Sequence, residues 1–79
     1  MQLVTVFVQM QKDGRLRLLR HVPVGKGLHI EVADPQPPRS LLNEAVEQSG
    51  RPPAPGIYPP TKALLQYAQR ADIKWARVS

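Results

Sequence analysis

No cysteine occurs in the 79-residue chain, so disulfides and thiolate metal sites are excluded and the redox compartment is left open. No apolar run reaches the 18 or so residues that would span a bilayer. The opening MQLVTVFVQMQKDG has no basic stretch before its apolar run and no A-x-A pattern, so no signal peptide is expected, and nothing points outside the cytoplasm. Histidine is limited to His21 and His29. With Glu31 or Asp34 they would hold a metal only by fortunate geometry. No carboxylate pair has a telling spacing, and Ser40, Ser49 and Ser79 lack a nucleophile signature. Val24-Gly25-Lys26-Gly27-Leu28 lacks the upstream glycine and the Ser/Thr of a phosphate loop. This inventory points away from an enzyme and calls for no cofactor.

Acidic residues are also scarce, with six Asp/Glu against eleven Lys/Arg and a net charge of +5. The imbalance is segregated. Residues 1–29 carry +4, residues 30–50 carry −3, and residues 51–79 carry +4. Apolar residues make up 42% of the chain, enough for one small folded domain with a thin core.

Residues 1–33 read as a β-meander. Leu3 to Met10 is rich in β-branched and aromatic residues that suit a pleated surface. Asp13-Gly14 supplies the positive φ of a tight turn, and Leu16 to Val24 runs back, with Pro23 near its end. Gly25-Lys26-Gly27 forms a second turn before the alternating Leu28-His29-Ile30-Glu31-Val32. Residues 34–50 change character: prolines stop the sheet, Ser40 is placed to cap a helix, and Leu42, Ala45 and Val46 recur at helical spacing. Glu44 is expected in the first turn, and Gly50 should end the helix. Residues 51–60 hold five of the nine prolines and read as a stiff connector. In residues 61–79, a helix over Thr61 to Ala71 buries Leu64, Tyr67, Ala68 and Ala71, and Ile73 to Val78 reads as a last strand beside the first. The expected fold is α+β: a three-stranded antiparallel meander plus a C-terminal strand, with two short helices packed on one face.

Alternation puts Arg15 and Arg17 on one face of the second strand and Leu16 and Leu18 on the other. With Lys26, and with Lys74 and Arg77 from the last strand, they could track a phosphate backbone, or they could form a solvated face. Strict alternation places Arg20 on the core side, so it needs a bulge, an edge, or a pairing with Glu31 or Asp34. The first strand is apolar on both sides, and two short helices cover only one. Leu3, Phe7 and Leu19 are therefore expected to be half exposed as a contact patch, unless the proline connector folds over them. Trp75 alternates with Lys74 and Arg77 and serves either the core or base stacking. The P-x-x-P runs at Pro35–Pro38 and Pro52–Pro55 read as spacers.

These readings support a small non-enzymatic accessory or regulatory protein binding nucleic acid through Arg15, Arg17, Arg20, Lys26, Lys74 and Arg77, with weak sequence selectivity. The alternative is a protein-binding inhibitor or adaptor of phage or mobile-element type. It would use the Leu3/Phe7 face, with arginines steering it to an acidic partner. A homodimer through strand edges or through the same patch is a third arrangement.

Overall fold

Three consecutive strands begin the chain. The computed structural model describes residues 4–78. Strand β1 (Thr5–Met10) turns at Gly14, whose φ of +87° only glycine adopts readily, and whose N–H donates to the Gln11 carbonyl at 2.9 Å. Strand β2 (Leu16–Val24) pairs antiparallel with β1, placing Val8 opposite Leu18. Strand β3 (Gly27–Asp34) continues the meander, with Arg20 opposite Glu31.

Helix α1 (Arg39–Gln48) follows. It starts earlier than expected: Pro38 is the cap residue and no side chain caps the helix, so Ser40 lies inside the first turn and Glu44 beyond it. Proline suits this boundary because it has no N–H to leave unpaired. Gly50, at φ +73°, leads the chain away after the helix, as its position suggested. Helix α2 (Lys62–Tyr67) is capped by Thr61, whose hydroxyl accepts from the Leu64 N–H at 3.2 Å. It ends well before Ala71, which is exposed: only Leu64 and Tyr67 of the helix are buried against the core.

Two corrections concern the sheet. The proline-rich segment is not only a connector, because Gly56–Tyr58 forms a short strand β4 paired with β1. The last strand, β5 (Lys74–Val78), pairs with β3 rather than with β1. The result is a five-stranded antiparallel sheet in the order β4-β1-β2-β3-β5. Prolines flank β4 without breaking the ladder because β4 is a border strand. No helix among the described residues is long and apolar enough to cross a membrane.

The register separates two faces. Val8, Leu18, Ala33 and Tyr58 face the helices and pack with Leu42, Ala45, Val46, Leu64, Tyr67 and Ile73. Leu18 and Leu64 have no solvent exposure, and full burial of such a side chain contributes roughly 1.5–3 kcal/mol. The opposite face carries Phe7, Leu19, Val32 and Ala76 in one cross-strand row. Here the expectation of half-exposed residues fails: Phe7 is 5% exposed and Leu19 2%. Neighbours on the same face close over them. The His21 ring lies 4.5 Å from that of Phe7, and Arg17 Nε donates to Gln9 Oε1 at 2.8 Å. Leu3 lies outside the described residues.

One side chain completes the ladder. Where β3 departs at Asp34, the Gln36 amide takes the place of a strand backbone. It accepts from the Leu18 N–H at 2.7 Å and donates to the carbonyls of Leu18 at 3.2 Å and Ala33 at 2.7 Å. Beside it, Tyr67 Oη donates to the Pro35 carbonyl at 2.6 Å and ties α2 to this corner.

Candidate functional site

Side-chain parity decides which cations meet. Arg17 and Leu19 share the helix-free face of β2, Leu19 stands in the row of Val32 and Ala76, and Ala76 and Lys74 share a face of β5. Arg17 and Lys74 therefore project from the same uncovered sheet face. Arg15 sits at the turn that leads into β2, exposed, with its Nε 2.6 Å from Asp13 Oδ2. A hydrogen bond from the Arg15 backbone N–H, more than its charge, holds the Asp13 carboxyl below its usual range. An exposed pair of this kind leaves the guanidinium available to other anions.

A shallow groove of about 490 Å³ opens at this end of the sheet, lined by Gln9, Met10, Gln11, Lys12, Asp13, Arg17 and Pro55. It brings Lys12, which lies outside the set expected from the sequence, beside Arg17. Its position in the same basic turn as Arg15 was the available signal. The groove's wall at Pro55 exists because β4 pairs with β1, which no local pattern announced.

Three of the six expected residues lie elsewhere. Lys26 occupies the β2–β3 turn, and a nine-residue strand separates it from Arg15. At about 3.3 Å per residue that is roughly 30 Å. Arg20 and Arg77 point to the helix-bearing face, in a row with Glu31 between them. Arg20 needs neither a bulge nor an edge: its Nη2 lies 2.7 Å from Glu31 Oε1, and its guanidinium stacks 4.2 Å from the centre of the Trp75 ring. His29 Nε2 engages the other oxygen, Oε2, at 2.9 Å. Burial opposes ionisation of Glu31, but hydrogen bonds from Arg20 and His29 outweigh it and hold the carboxyl below its usual range. The helices cover only the part of this face around Val8 and Leu18, so the network stands beside the core and not inside it. The six cations thus do not form one common face.

Of the acidic residues of the middle segment, Asp34 stands directly opposite Lys74 on the uncovered face, where it offsets part of that charge, and the two helical ones lie away from the groove. Glu44 and Glu47 are exposed on α1, across the sheet from Arg17 and Lys74. Arg51, a second cation outside the expected set, lies 4.8 Å over the Tyr58 ring, and its Nη2 donates to the Ile57 carbonyl at 3.1 Å. It holds the proline loop in place, together with Tyr58 Oη, which donates to the Ala54 carbonyl at 2.6 Å and accepts from its N–H at 3.0 Å. Comparison with family models, with curated proteins and with solved structures finds no match.

Proposed function

We propose that the chain is a small non-enzymatic protein that binds nucleic acid through the uncovered sheet face, by phosphate contacts and with little sequence selectivity. The observation that carries this reading is the cluster of Lys12, Arg15 and Arg17 at one end of that face, with Lys74 projecting from the same side. Guanidinium groups form bidentate bonds to phosphate oxygens, and backbone contacts position a protein without reading bases. Arg20 and Arg77 have no part in this interface, and Lys26 is too distant for the same contact. The role in the cell is accessory or regulatory, and the cytoplasm is the compartment that suits it.

The test is fluorescence anisotropy of a labelled duplex across a salt series. Four phosphate contacts give a log–log slope of about −3.6. Arg17→Glu lowers affinity on every duplex alike, and Arg77→Glu leaves it unchanged. An absence of binding at low salt, or an equal loss from the two variants, overturns the proposal.

A further inference from the structure

We propose that the outer edge of β5 accepts an extended acidic segment of another protein as a sixth strand. This goes beyond the nucleic-acid reading and shares with it only Lys74. Of the two borders of the sheet, β4 is three residues long and lies between Pro55 and Pro59, which cannot donate to a ladder. β5 is five residues long, contains neither proline nor glycine, and among the described residues pairs with β3 alone. Alternate residues of such a strand turn their N–H and C=O groups away from the sheet, which is the template that strand addition uses.

Charge selects the occupant. Arg77 stands directly opposite Glu31 in the register, but both oxygens of that carboxylate are engaged, one by Arg20 and one by His29. Lys74 stands opposite Asp34, and among the described residues neither it nor Arg77 forms a salt bridge. One cation outside any such salt bridge therefore projects from each face of the border strand. Ala76, between them, and Val78, beyond Arg77, line the open face, and Trp75 lies on the helix side. An added strand that places a carboxylate beside each cation and small apolar groups beside Ala76 and Val78 matches this pattern. A second copy of this chain would instead bring a further charge of +5 to the same border.

Trp75 is the single tryptophan, so its emission reports on this strand directly. The probe is a blocked synthetic peptide alternating glutamate and valine, added to the full chain. Emission should change saturably, and amide hydrogen exchange should slow within residues 74–78. The double reversal Lys74→Glu with Arg77→Glu should weaken binding about tenfold or more. A lysine–valine peptide should then bind the reversed protein and not the original. That swap separates lost complementarity from lost folding. No emission change, equal binding of the two peptides, protection on β4 instead, or a dimer whose β5 amides are protected without peptide each overturns the proposal. Arg17→Glu weakens duplex binding and spares the peptide, so failure of one reading is distinguishable from failure of the other.

Discussion

Replacing Gln36 by alanine should destabilise the protein by about 2–4 kcal/mol. Its side-chain amide satisfies three backbone groups, the N–H and C=O of Leu18 and the C=O of Ala33. Leu18 is fully buried and Ala33 is 2% exposed. A hydrogen bond contributes about 0.5–1.5 kcal/mol net, and a buried group left unpaired costs about 1–3 kcal/mol. Three such groups would reach the top of that scale, but Gln36 is itself half-buried, so water can reach part of the vacated site. A domain of this size has a total stability of only about 4–12 kcal/mol, so the loss is a large part of the whole. At about 4–8 °C per kcal/mol it lowers Tm by roughly 10–30 °C. Urea unfolding followed by Trp75 emission measures it, with a lowered midpoint and an unchanged slope. Gln36→Glu sharpens the test. It keeps the acceptor for the Leu18 N–H but aims a carboxylate oxygen at two carbonyls, so it is at least as damaging at neutral pH and recovers in part on protonation. A change within about 0.5 kcal/mol for Gln36→Ala would refute the reasoning.

Two further outcomes follow from named contacts. Thr61→Ala removes the only side-chain cap of α2 and should cost about 1–2 kcal/mol in urea unfolding, with Thr61→Ser retaining most of it. The Glu31 carboxyl is held below its usual range in the fold, so the folded state binds its proton less readily than the unfolded chain does. Its contribution is present above the unfolded value, about pH 4.3, and is lost as pH falls through the lower folded value. Glu31→Gln should therefore flatten the acid limb of a stability–pH curve, and parallel curves for the two proteins would contradict the geometry of the Arg20–Glu31–His29 group.

The meander was legible because its signals are local: Asp13-Gly14 demands positive φ, and the alternation from Leu28 to Val32 needs no knowledge of the rest of the chain. The helix stripes Leu42/Ala45/Val46 and Leu64/Tyr67 were legible for the same reason. Partner choice was not. Nothing in Lys74–Val78 states that it lies against β3, because either neighbour satisfies an alternating strand. Ile57 and Tyr58 are too short a run between prolines to announce β4. Alternation correctly placed Arg20 on the helix side. What it could not show is that the helices stop short of that row, leaving room for Glu31 and His29 to meet the charge. Burial of Phe7 and Leu19 was hidden because it depends on how His21, Gln9 and Arg17 lie over a sheet face that no helix covers.

The sheet order also bears on how a nascent chain assembles. Its three middle strands are contiguous in sequence and are complete once residue 34 has left the ribosome. Both borders and both helices are synthesised afterwards, so the central ribbon waits during translation with two open sides and no cover on either surface. The C-terminal half then closes one side with β4 and the other with β5, and α2, lying between them in sequence, joins the two closures across the core.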